Sequence, residues 1–158
     1  MPDAADPAVA ELLDTKAIVD LTITYTWLLD HGPHADLAQV FTPDAFALLG
    51  GTECHGAEAI IDRVDRALSR LTISQHIVSN HQVRIDGDEA TCRCYFHAQH
   101  VLVGTEGGDN YIIAGRYDDR LVRTPDGWRI AHRVLTVDWT EGNRSVVHPA
   151  RPTEPEGA

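Results

Sequence analysis

Apolar residues recur every three or four positions between Pro7 and Asp30, where Leu13, Ala17, Leu21, Tyr25 and Leu28 form one stripe. That spacing predicts a long first helix with one face on a core. The segment His31-Gly32-Pro33-His34 breaks the pattern, residues 35–41 read as a short second helix, and 45–49 read as a short buried strand after the Thr42-Pro43-Asp44 turn. Past the glycines at 50, 51 and 56, Ile60, Ile61, Val64 and Leu68 return to helical spacing. With Asp62, Arg63, Asp65 and Arg66 between them, residues 57–71 read as a third, amphipathic helix.

From Thr72 the period changes to two, in segments rich in Ile, Val, Thr, Tyr and Phe. Turn signals at Asp86-Gly87-Asp88, at 104–109 and at Pro125-Asp126-Gly127 divide this region into strands at 73–85, 89–103, 111–123 and 128–139. Helices first and an antiparallel meander afterwards predict an α+β domain whose sheet curves around the N-terminal helices. The domain is expected to span 1–144, with a proline-rich, irregular tail over 145–158.

Length and composition agree with one domain: 158 residues, 43% hydrophobic and 23% charged. The formal charge of −11 argues against nucleic acid or an anionic membrane as partner and points to neutral, cationic or apolar ligands. No run has the length of a membrane span, and the N-terminus lacks the layout of a signal peptide, so a cytoplasmic location is expected. Cys54, Cys92 and Cys94 make an odd count without a C-x-x-C pair and are expected to stay reduced. Cys92 and Cys94 share a strand face, as small apolar residues.

Three polar residues stand where a compact domain prefers apolar ones: Asp30 at the end of the first helix, and His76 and His100 within strands. A carboxylate and imidazoles in an apolar hollow form a proton-transfer device that needs no cofactor. His100 lies on the alternating set Cys92, Cys94, Phe96, Ala98, His100, Leu102, the apolar side of its strand, which makes it inward-facing. By parity His97 faces away from His100 and His81 away from His76, and no set has zinc-ligand spacing, so no metal is expected. Ile113, Gly115, Tyr117, Asp119 and Leu121 share another face, where Gly115 leaves space for a ligand and Tyr117 offers a hydroxyl. Asp119 is expected to pair with Arg120 or Arg123 at the surface. In the last strand Trp128 and Ile130 read as core, and a bulge decides whether His132 or Arg133 approaches the pocket.

Several short motifs occur in an order that resembles the SnoaL-like branch of the nuclear transport factor 2 superfamily. They are YTWLLDHGPHADLAQVFTPDAF, GAEAI, TISQH and GRYDDRLVRTPDGWRIAHR, and the resemblance covers the chain to about Thr140. It implies a cone-shaped α+β barrel, assembled as a dimer or trimer, whose concave sheet holds a small apolar or aromatic substrate. The family includes scytalone dehydratase, a dehydrochlorinase, isomerases and cyclases, together with non-catalytic β subunits of ring-hydroxylating dioxygenases, so the site must decide the function.

By this resemblance Asp30 and His76 correspond to a catalytic dyad, the carboxylate fixing the imidazole tautomer, and His100 to a second histidine that helps protonate a leaving hydroxyl. Arg133 falls where the dehydrochlorinase binds a departing anion, with a structural salt bridge as the alternative. Tyr25, Trp27, Phe96, Leu102, Ile113 and Tyr117 are expected as walls and contacts of the pocket. The expected activity is a cofactor-independent lyase of the dehydratase type acting on a polyketide-like, aromatic or steroid-like molecule. An isomerase or cyclase using the same dyad, or a non-catalytic binding or assembly subunit, are the alternatives.

Overall fold

The computed structural model describes residues 6–148. Helix α1 runs over Pro7–His31; Asp6 caps it by accepting from the Ala8 N–H at 2.9 Å, and Pro7 supplies a preset φ in its first turn. A 3-10 turn over His34–Gln39 leads into strand β1 (Phe41–Leu49), and a tight Gly50-Gly51 turn with φ of +59° and +82° returns the chain along β2 (Thr52–His55). Two successive positive φ angles are the geometry in which glycine closes a two-residue hairpin. Helix α2 (Ala57–Leu68) follows, then four long strands, β3 (Ile73–Asp86), β4 (Glu89–Val101), β5 (Asn110–Thr124) and β6 (Gly127–Gly142). The six strands form one open sheet in the order β2-β1-β6-β5-β4-β3, antiparallel except where β1 meets β6. The fold is therefore the expected α+β cone: a curved sheet with the helices packed in its concavity.

Several elements differ from the expectation, each for a physical reason. Strand β1 starts at Phe41 and not at residue 45, because Pro43 is tolerated where the β1–β6 register shifts between Phe41 and Phe46. The expected second helix shrinks to the 3-10 turn that precedes it. Strand β2 has one buried residue, Cys54, too few for its alternation to register in the sequence. The buried stripe of α1 is Ile18, Thr22, Tyr25, Thr26 and Leu29, one position off the one predicted: Leu13 is 60% exposed. Threonines substitute for aliphatics there because Thr22 and Thr26 donate to the carbonyls of Val19 and Ile23, both at 2.8 Å, which satisfies their hydroxyls without water.

The start of the expected tail is folded. Val146 is fully buried in a 3-10 turn over Arg144–Val146, and Arg70 donates to the carbonyls of Ser145 and Val146 at 3.2 and 2.6 Å. Residues 149–158 lie outside the described residues. Among the described residues no helix is long and apolar enough to cross a membrane.

Gly115 has a different role from the one its strand position suggested. A Cβ there would stand 1.9 Å from the Thr136 carbonyl oxygen, at the irregularity where β5 and β6 change register between Ala114 and Gly115. The missing side chain makes room for the neighbouring backbone, not for a ligand. Gly115→Ala is expected to part β5 from β6 locally and cost roughly 3 kcal/mol or more, read by urea unfolding. An unchanged midpoint would show that the close approach carries no stability.

Candidate active site

Between the concave face of the sheet, α1, α2 and the β1–β2 hairpin lies a cavity of about 1090 Å³ that opens to solvent. Its walls include Tyr25, Phe96, Ile113 and Tyr117, as expected, and also Leu29, Tyr111, Leu135 and Val137. The β6 residues are not legible in the sequence because the shifts in β6 pairing obscure its alternation. Tyr111 was within reach of the sequence, since it shares parity with Ile113 and Tyr117.

His76 lines this cavity, and Asp30 holds it from behind. The Asp30 carboxylate accepts three hydrogen bonds from β3, each of 2.7 Å: from His76 Nδ1–H, from the His76 backbone N–H and from Ser74 Oγ. Both side chains of the pair are only 7% exposed. Burial raises the Asp30 pKa, but the hydrogen bonds from His76 and Ser74 outweigh it and hold the carboxyl below its ordinary value. With Nδ1–H donated to the carboxylate, the lone pair of the neutral imidazole lies on Nε2, which has no hydrogen-bond partner among the described residues. Ser74 lacks the context of a nucleophile, but its place two residues before His76 puts both on the inward face of β3, where it braces the carboxylate.

His100 stands beside this pair, its ring 5.5 Å from that of His76 at 83°. It is 3% exposed, and its Nδ1 donates to the Tyr111 carbonyl at 3.2 Å, because a carbonyl can only accept. Burial, aided by His76, pushes its pKa down to about 4. His100 is thus neutral near neutrality, with its acceptor nitrogen Nε2 left for the cavity that it lines.

His81 differs from its predicted orientation. A β-bulge between Ser79 and Gln82, with Asn80 at φ +57°, inverts the strand parity, so His81 faces α1 and lies 2.7 Å from Thr22 Oγ1. Since the Thr22 hydroxyl hydrogen goes to Val19, His81 Nε2–H is the donor.

Three expected contacts fall outside the cavity. Trp27 is 63% exposed and lies against His31, pointing away from the core on the next face of α1. Leu102 follows the end of β4 at Val101 and does not line the cavity. Arg133 is fully buried beneath the floor and is no substrate contact. It donates to both Asp119 oxygens, Nε to Oδ1 at 2.8 Å and Nη2 to Oδ2 at 2.7 Å. Its guanidinium is sandwiched between Tyr25 and Tyr117, 4.2 Å from each ring centroid. Asp119 is accordingly a buried partner of Arg133, not a surface charge. The irregularity between Arg120 and Leu121, opposite β6, turns Arg133 inward, while His132 stacks on Phe46 at 4.9 Å. Tyr117 also stacks on Phe96 at 4.8 Å, so Arg133 supports the aromatic floor on which a ligand would rest.

Among the described residues no three His, Cys, Asp or Glu side chains converge as a metal ion would need. Cys92 and Cys94 are buried, and burial raises their thiol pKa values to about 12 and about 11. They pack as small apolar groups.

A cone-shaped α+β fold with a carboxylate–imidazole pair on the wall of a largely apolar cavity defines the class. Residues 10–134 match the SnoaL-like domain, and the chain belongs to that family. An uncharacterised protein of Mycobacterium tuberculosis (strain ATCC 25618 / H37Rv), Rv2910c, is 36% identical over 133 residues, 82% of this chain and 88% of that one. Terrestric acid biosynthesis cluster protein E of Penicillium crustosum is 27% identical over 152 residues, 92% of this chain and 95% of that one. The structure of hexachlorocyclohexane dehydrochlorinase LinA-type3 from Novosphingobium barchaimii LL02 shares the fold, with a TM-score of 0.75 and 20% identity, covering 88% and 96% of the two chains.

Two outcomes follow from the buried charges. Asp119→Ala leaves the Arg133 guanidinium buried without its counter-ion and is expected to cost roughly 3 to 5 kcal/mol in denaturant unfolding; a loss below 1 kcal/mol, on the order of an exposed pair, would contradict the buried role. Folded His100 takes up its proton near pH 4 and an unfolded one near 6.5, so the unfolded chain binds more protons between these values. The His100 contribution, up to about 3 kcal/mol, is intact above about pH 6.5 and lost as pH falls towards 4. Stability measured across that window is expected to fall less steeply in His100→Leu than in the parent, and parallel slopes would count against it.

Proposed function

We propose that the protein is a cofactor-independent lyase of the dehydratase type, with His76 as base and Asp30 as the group that orients it. The observation that carries this reading is the 2.7 Å bond from His76 Nδ1 to a buried carboxylate, with the opposite ring nitrogen on a cavity wall. Nε2 removes a proton from a carbon next to a carbonyl or other activating group. The electrons of that C–H bond form a new C=C bond as the neighbouring C–O bond breaks, and the imidazolium returns its proton to the departing oxygen, which leaves as water. No oxidant or reductant is consumed. Asp30 stabilises the transient imidazolium, as a buried carboxylate does in a hydrolase triad.

His100 serves as an acceptor in this scheme, not as the acid the family resemblance implied. Its Nδ1–H is held by the Tyr111 carbonyl and its pKa is near 4, so its Nε2 accepts a hydrogen bond from a substrate hydroxyl and aligns it. The proton for the leaving group comes from His76. Tyr25, Phe96, Ile113 and Tyr117 enclose the apolar or aromatic body of the substrate. The reading is supported by family membership, by a relative whose name places it in a biosynthetic cluster, and by a shared fold with a dehydrochlorinase. The same first proton abstraction would also serve an isomerase or cyclase.

The test is a panel of aromatic and polyketide-like β-hydroxyketones, followed by mass spectrometry for the loss of one water. His76→Ala is expected to lower turnover on the order of 10² to 10⁴-fold, with Asp30→Asn impaired in the same direction. Identical product profiles for the parent and His76→Ala would remove the enzymatic reading.

A further inference from the structure

The lining of the cavity differs in charge from the molecule as a whole. The chain carries 24 Asp and Glu against 13 Lys and Arg, yet among the described residues no Asp or Glu lines the cavity, while Arg63, Arg66 and Arg144 do. Arg63 and Arg66 are three positions apart on α2 and so share a face, and Arg144 begins the 3-10 turn that Arg70 anchors through two backbone carbonyls. Among the described residues none of the three has a carboxylate within 4.0 Å, whereas Arg93, Arg116, Arg123 and Arg133 each hold an aspartate. The neighbours feel this charge. Burial first, then Arg144, Arg63 and Arg70, push the His148 pKa down, and Arg63 and Arg66 pull against the rise that burial imposes on Cys54. A concave surface with low-dielectric walls focuses such a field, so the overall −11 does not describe what a ligand meets at this site.

We propose that the substrate carries an anionic oxygen group, carboxylate or phosphate, held by Arg63, Arg66 and Arg144 while its apolar body extends to His76. Guanidinium forks match the oxygens of either group, and charge-assisted bonds there would fix which end of the molecule enters first. Orientation matters because the other walls, chiefly aromatic and aliphatic, exert little directional control on a flat ring system. This reverses, for one end of the ligand, the neutral or cationic preference drawn from net charge. It rests on the reading of the cavity as a substrate site.

The test titrates the protein with 2-naphthoate, 2-naphthyl phosphate and the neutral 2-naphthamide, following the ring resonances of His76 and His100 and the arginine Nε–H signals by NMR. At low salt at least one anion is expected to bind on the order of tenfold more tightly than the amide, with an advantage that shrinks as salt rises. The triple variant Arg63→Gln, Arg66→Gln, Arg144→Gln should bring the anions to the level of the amide and leave the amide unaffected. Arg66→Glu, at an exposed position where folding is not at stake, should weaken the anions in the same direction. The preferred anion distinguishes carboxylate from phosphate. Equal affinity of all three probes for the parent, or an anion advantage that survives the triple variant, overturns the arginine site; shifts at His76 with the amide would then still uphold the cavity. Absence of binding by every probe overturns both readings.

Discussion

The carboxylate of Asp30 is the group on which the arrangement turns. It lies one residue before the end of α1 and takes three hydrogen bonds from β3, an edge strand that pairs only with β4. One of these bonds satisfies the His76 N–H on the outer edge of that strand, a donor that β4 leaves without a partner. Another aims the imidazole. The same contact therefore fastens the helix to the sheet, satisfies the sheet edge and sets the tautomer of a cavity-lining histidine. Structure and chemistry share one group here, so any change at Asp30 acts on both.

A second buried charge supports the floor of the cavity. Arg133 and Asp119 are each nearly inaccessible, and the guanidinium lies between the rings of Tyr25 and Tyr117. Such a pair contributes little net stability compared with a well-packed apolar substitute, but it fixes geometry, because neither partner can move without leaving a bare charge. Tyr25 comes from α1 and Tyr117 from β5, so Arg133 of β6 joins three elements beneath the cavity. The β5–β6 irregularities at Gly115 and Leu121 turn the strands so that this is feasible.

Charge is partitioned within the molecule. Acidic side chains dominate the chain, yet among the described residues they are absent from the cavity lining, whose polar members include His76, His100, Arg63, Arg66 and Arg144. In the proposed reading the neutral His100 is an acceptor, the Asp30-bound His76 a base, and the guanidiniums, which have no carboxylate partner among the described residues, supply a positive field in a mostly apolar enclosure. On that reading the combination would suit an amphiphilic molecule with one anionic end better than a purely hydrophobic one.

The alternation of the four long strands, the first helix and the helix at 57–68 were all legible along the chain, because period two and period 3.6 are local consequences of having one buried face. So was the inward side of β4, and with it His100. The pairing of Asp30 with His76 came from motif resemblance, since no local rule joins residues 46 positions apart. Tertiary structure alone decided the rest. A bulge at Asn80 reversed the orientation of His81, threonines satisfied by their own helix shifted the buried stripe of α1, and Arg133 went beneath the floor to meet Asp119. Each of these depends on a register shift or on a long-range partner that compensates a buried polar group. Hydrophobic periodicity records which face is buried, but not which polar residue finds a partner there.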